Sequence, residues 1–309
     1  MLNNENPAAA SQKSLNLVQI WWMAIRPRTL PASISGVVAG LAVAIFHGQV
    51  RIPQTLAALG IALLLQIGSN LANDVFDHER GADAARAFGP TRVTESGLLS
   101  PAQVKRGMLM VFALAGGLGL YLAASVNWLL IPVGALAILA AVAYTGGPFP
   151  LGYHGLGELF VLIFFGFVAV AGTVYINLSR IPPAGWGISL PLGLLIVGIL
   201  VVNNLRDIAA DRLANKKTLA VRFGERFSQV EYIACLAIAF GVIPLFCLLQ
   251  IIPWWAMLTW LSIPLAVKNI RIVLTMKGKP LNAALGGTGQ LALLFSLLLL
   301  AGSLIQKLL

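Results

Sequence analysis

The run TLAALGIALLLQIGSNLANDVFDHERGAD, residues 55–83, begins as an apolar helix suited to a bilayer and ends in a burst of carboxylates. Its apolar half points to an all-helical membrane protein. Within the polar half, Asn70, Asn73, Asp74 and Asp77 stand at i, i+3, i+4 and i+7, one face of an α-helix. A second stretch, VVNNLRDIAADRLANKKTLAVRFGE at residues 201–225, repeats the pattern with Asn203, Asp207 and Asp211 at i, i+4 and i+8. All five aspartates of the chain fall in these two stretches, and N73-x-x-x-D77 recurs 130 residues later as N203-x-x-x-D207-x-x-x-D211. A pseudosymmetric bundle would bring the two stripes face to face.

Working outward, 58% of the 309 residues are hydrophobic and only 10% are charged. With a mean hydropathy of +0.86, such a chain has too little charge to cover a soluble core. Nine apolar segments are long enough to span a bilayer: 30–47, 54–76, 104–124, 127–145, 157–178, 184–206, 230–250, 253–275 and 284–306. Residues 1–29 read as an N-terminal tail and interfacial segment, with Trp21, Trp22, Arg26 and Arg28 at the headgroup layer, and 30–309 as a single transmembrane domain. The first twenty residues are polar and carry no cleavable hydrophobic signal.

The 21 basic residues set the orientation. With the N-terminus inside, eighteen fall on the inner side and only Arg51, Arg180 and Lys307 outside, as cytoplasmic loops of a plasma-membrane protein require. Both acidic helix ends then face the cytoplasm. The net charge of +10 reflects topology and contact with anionic lipid, not nucleic acid. Cys235 and Cys247 share one span, about 18 Å apart along a helix, too far to bridge, and read as packing thiols.

Clustered carboxylates repel one another and need a compensating cation. Oxygen ligands without His or Cys suit Mg²⁺, which keeps waters and is completed by substrate phosphates. Arg80, Arg86 and Arg92 follow the first stripe, and Arg206, Arg212, Lys216, Lys217 and Arg222 accompany the second. Acid, metal and base together suggest a diphosphate. Asp74 either joins the site or caps locally. The Gly- and Pro-rich connection 144–158 has no Lys or Arg; its Tyr144 faces the same cavity or serves as an interfacial belt residue. Gly36 with Gly40, and the cluster Gly116, Gly117 and Gly119, read as helix packing.

The segments NDVFDHERGAD, GPTRVTESGLLSP and NNLRDIAADRLANKKTLAVRFGE resemble the UbiA superfamily of intramembrane aromatic prenyltransferases. RPRTLPASISGV and GLGELFVLIFFG resemble the branch that acts on a dihydroxynaphthoate, so the likeness covers nearly the whole chain. The resemblance implies about nine helices around a central cavity capped on the cytoplasmic side, where Mg²⁺ holds a polyprenyl diphosphate. It implies that Asn73, Asp77, Asp207 and Asp211 bind metal and diphosphate, and that Arg92 and Lys217 neutralise the diphosphate. Asp77, Asp207, Asp211 and Lys217 are the catalytic candidates. Asn203 and Arg222 are further diphosphate candidates, and Asn70 and Tyr144 candidates for the acceptor or for cation stabilisation. Where many relatives carry a third aspartate this chain has Gly81, and the next acid, Asp83, is an additional metal candidate.

The implied reaction is polyprenyl transfer to 1,4-dihydroxy-2-naphthoate with decarboxylation, giving demethylmenaquinone and diphosphate. Another aromatic acceptor, of hydroxybenzoate, homogentisate or chlorophyllide type, fits the same scaffold, although Pro148 to Gly152 supply none of the basic residues that hydroxybenzoate enzymes often carry there. An ion-coupled transporter is the competing class, and it expects carboxylates near the bilayer midplane.

Overall fold

The computed structural model describes residues 15–82 and 88–308. Among them every regular element is helical: α1 (Leu17–Ile25), α2 (Leu30–Phe46), α3 (Ile52–Glu79), α4 (Pro101–Ser125), α5 (Leu130–Ala143), α6 (Gly157–Val161), α7 (Gly172–Leu178), α8 (Pro183–Leu213), α9 (Leu219–Phe223), α10 (Glu225–Leu248), α11 (Ile263–Thr275) and α12 (Leu281–Leu308). A π-helix, Leu162–Ala171, joins α6 to α7, and a 3₁₀ stretch, Trp254–Ser262, leads into α11. Among the described residues eight segments are long and apolar enough to cross a membrane, and α5 is a shorter apolar helix beside them. The protein is a multi-pass membrane bundle.

Three details differ from the sequence expectation. The apolar segment that contains the first span reaches back to Leu17, but it is broken at Arg26, whose left-handed backbone (φ 55°) ends α1 and turns the chain into α2. The expected 127–145 span shrinks to the 14 residues of α5, bounded by the Asn127–Leu129 turn, where the Asn127 side chain accepts from the Leu129 amide, and by the glycine loop. The fifth crossing is not a plain α-helix. Ten of its residues adopt the wider π winding, far more than the single-turn bulge in which that winding is usually found.

α8 is the central post and buries most of its length against α10, α12, α2 and the π-helix. Small residues let these backbones close up. A Cβ on Gly40 would lie 2.6 Å from both the Thr173 Cβ and the Val170 carbonyl oxygen, and one on Gly36 would lie 2.7 Å from the Ala169 Cβ. That pair packs as expected. Gly116, Gly117 and Gly119 do not: nothing lies within 4 Å of a Cβ built on any of them, and all three line the central cavity. Their reading as packing contacts is therefore corrected.

Hydroxyls buried in the bundle bond to carbonyls of their own helices, as Thr173 does to Ala169, Ser189 to Gly185 and Ser296 to Ala292. This is how a lipid-embedded helix accommodates polar side chains. Cys235 and Cys247 are free and buried.

Candidate active site

A cavity of about 820 Å³ runs into the bundle between α2, α3, α4, α5, the π-helix and α8. Its body is apolar, walled by residues such as Ile61, Leu65, Ile138, Phe164, Val168 and Ile176, while one end is polar. At that end the last turns of α3 and α8 meet the loops that follow them.

Asn70, Asn73 and Asp77 of α3 line the cavity, and Asp74 does not. At 3.6 residues per turn Asp74 points about 60° away from Asp77, on the opposite flank from Asn73. Its carboxylate accepts from the backbone N–H of Val93 (3.2 Å) and Thr94 (3.0 Å), and Arg26 Nη2 lies 3.6 Å away. Asp74 thus fixes the loop that carries Arg92. From that loop Arg92 Nη2 donates to Asp77 Oδ2 at 2.9 Å, with both side chains about 6% exposed. The other Asp77 oxygen accepts from the Tyr153 hydroxyl at 2.8 Å. Asn73 Oδ1 accepts from Thr145 Oγ1 (2.9 Å). Asn70 is committed to the wall: its amide nitrogen donates to the Ile25 carbonyl and to Thr29 Oγ1.

On α8, Asn203 and Asn204 line the cavity, while Asp207 and Asp211 are buried outside its lining. Arg206 grips Asp207 with two nitrogens (2.8 and 2.6 Å), donates to Asn203 Oδ1 at 2.9 Å, and reaches Asn282 Oδ1 at 2.6 Å. Asn282 in turn donates to the Phe88 carbonyl, which ties the second motif to the loop after the first. Asn204 donates to Glu158 Oε1 at 2.9 Å.

The two ends converge. Lys216 Nζ lies 3.8 Å from Asp211 Oδ1 and 5.4 Å from the centre of the Tyr153 ring, whose hydroxyl holds Asp77. Tyr144 lines the cavity. Among the described residues no three acids, histidines or cysteines close around one point. Each buried aspartate has a basic partner instead, so the polar end carries nearly balanced charge. Asp83 lies outside the described residues.

Lys217 and Arg222 do not reach the cavity wall. The Lys217 side chain is exposed, and the Arg222 guanidinium donates to the carbonyls of Lys217 and His154. The lysine that lines the cavity is Lys216, because α8 stops at Leu213 and the left-handed Asn215 (φ 54°) redirects the chain, sending neighbouring side chains opposite ways. Tyr153 has no linear signal. It sits on a single 3₁₀ turn, Leu151–His154, in a loop whose sequence reads only as Gly and Pro.

A bundle of this kind, with two aspartate-bearing helix ends at the polar mouth of a greasy cavity, has a defined class. The chain belongs to the UbiA prenyltransferase family, whose sequence model matches residues 33–285, and it is an enzyme of prenyl transfer. Among relatives, the 1,4-dihydroxy-2-naphthoate octaprenyltransferase of Mycobacterium tuberculosis is 42% identical over 286 residues, covering 92% of this chain and 96% of its own. The Escherichia coli protein of the same name is 36% identical over 307 residues, covering 96% and 99%. A UbiA homolog from Archaeoglobus fulgidus, solved bound to GPP and Mg²⁺, shares the fold with a TM-score of 0.65 at 16% identity, covering 94% of this chain and 100% of that one. An apo UbiA homolog from Aeropyrum pernix gives 0.67 at 15% identity, covering 89% and 97%.

Proposed function

We propose that this enzyme transfers a polyprenyl group from polyprenyl diphosphate to 1,4-dihydroxy-2-naphthoate, with loss of the carboxyl group as CO₂, giving the quinol form of demethylmenaquinone and diphosphate. The observation that carries the reading is the meeting of the two aspartate motifs, through Tyr153 and Lys216, at the polar end of an apolar cavity. The acceptor assignment is supported by relatives named for that substrate that align over nearly their whole length.

The donor set fits a hard cation: Asp77, Asn73 and Asn203 offer oxygens at the cavity wall, while Asp207 and Asp211 are buried on the same helix as Asn203. One or two carboxylates plus substrate phosphates are what Mg²⁺ ordinarily uses. When bound, Mg²⁺ would neutralise charge on the departing diphosphate. Arg92 and Lys216 place fixed positive charge at the same mouth, where it favours cleavage of the allylic C–O bond in a site of low dielectric. The apolar body holds the isoprenoid tail and keeps water from the electron-poor allylic carbon, leaving the electron-rich ring as the nucleophile. Tyr144 presents a ring to the same space, suited to an allylic cation or an aromatic acceptor.

We place the polar end on the cytoplasmic side of the plasma membrane, since the sequence segments assigned to that side carry eighteen of the 21 basic residues, and read 30–309 as one catalytic unit. A transporter would hold its acids mid-span, whereas Asp77 lies two residues from the end of α3 and Asp211 two from the end of α8.

The test is reconstitution with Mg²⁺, labelled polyprenyl diphosphate and the naphthoate acceptor beside hydroxybenzoate and homogentisate. A prenylated naphthoquinol and free diphosphate are expected, with no turnover in EDTA. Turnover that persists in EDTA removes the metal, and preference for another acceptor removes the naphthoate.

A further inference from the structure

We propose that Tyr153 is a positioning residue that couples the two acidic helix ends, a role that rests on the prenyl-transfer reading above. Four contacts from this one residue reach both motifs. Its hydroxyl donates to Asp77 Oδ1 at 2.8 Å, at the end of α3. Over its ring stand Arg80, with Cζ 5.5 Å from the centroid, and Lys216, with Nζ 5.4 Å away. Its carbonyl accepts from the backbone N–H of Lys217 at 2.9 Å, in the connection after α8. The residue is 8% exposed, so water competes little for any of these bonds.

The hydroxyl and the ring do separable work. A carboxylate held at one oxygen by Arg92 and at the other by a tyrosine cannot rotate. The hydroxyl therefore fixes the direction in which Asp77 presents its lone pairs to the cavity. Lysine has a flexible four-carbon stem, and the aromatic face restrains its ammonium beside Asp211 at the cavity wall. The ring therefore sets where a diphosphate meets positive charge. The Gly-Pro loop lies between the motifs in the sequence and uses Tyr153 to join them.

Two variants divide these roles. Tyr153→Phe keeps the ring and loses the hydroxyl, and kcat should fall about tenfold while KM for polyprenyl diphosphate stays within about twofold. Tyr153→Leu loses both, and KM should rise about tenfold in addition. Lys216→Gln should reproduce that KM rise and add little to it when combined with Tyr153→Leu. Calorimetric titration with geranylgeranyl diphosphate and Mg²⁺ provides a readout that needs no acceptor, with Kd unchanged in Tyr153→Phe and about tenfold weaker in Tyr153→Leu. The role is overturned if Tyr153→Phe turns over like the wild type, or if Tyr153→Leu binds the diphosphate normally. Losses that merely track a lower fraction of folded protein overturn it as well. A wild type that ignores the naphthoate while Tyr153→Leu loses diphosphate affinity sinks the acceptor assignment and leaves the coupling role standing.

Discussion

Asp74 and Asp77 are three residues apart on one helix and do opposite things. Asp77 faces the cavity between Arg92 and Tyr153, while Asp74 is spent on two backbone amides of the Arg92 loop. Asp77→Asn should therefore leave a folded protein whose kcat falls by about two to three orders of magnitude, read by diphosphate release. Asp74→Ala should instead unfold it: two buried N–H groups and Arg26 lose their partner, about 3 kcal/mol, seen as a lower melting temperature in detergent. The stripe of polar residues was readable in the sequence, but a helix face about 100° wide admits both aspartates, and only the neighbours separate them. The choice between Lys216 and Lys217 was unreadable for a related reason. Once a helix ends, side-chain direction follows the turn, and the left-handed Asn215 carries no signature beyond its residue type.

At the scale of elements, glycine has two meanings here. Gly40 lets α2 approach Thr173 and Val170, so Gly40→Leu should prevent assembly of the bundle, measured as loss of a monodisperse peak on size exclusion. Gly117 on α4 faces the cavity with free space around it, so Gly117→Ala should be tolerated and should gain about 0.5–1 kcal/mol of helix stability. The sequence announces that a side chain is missing, and the facing surface decides why. The π winding of the fifth crossing was equally hidden. LIFFGFVAVA has the composition of an ordinary buried helix, and its close approach to α8, where a Cβ on Gly166 would lie 2.9 Å from the Gly193 Cα, depends on a residue 27 positions away.

Across the whole molecule, the number of crossings followed from hydropathy, because nothing but length and apolarity is needed to span lipid. The meeting of the two motifs did not, since they are 130 residues apart and their contact passes through a loop that has no Lys or Arg. The orientation is open to direct measurement. With Cys235 and Cys247 replaced, Gln49→Cys should react with an impermeant maleimide on intact cells, and Lys279→Cys only after lysis; the reverse would invert the site.

The apolar helices of the described residues are unequal in length. The 14 residues of α5 reach only about 21 Å against a hydrocarbon layer of roughly 30 Å. A helix that short thins or tilts the surrounding lipid, so hydrophobic mismatch acts on a wall of the apolar cavity. Turnover in nanodiscs should accordingly fall as acyl chains lengthen from fourteen to about twenty-two carbons. A flat response across that range of chain lengths would leave α5 without a mismatch to transmit.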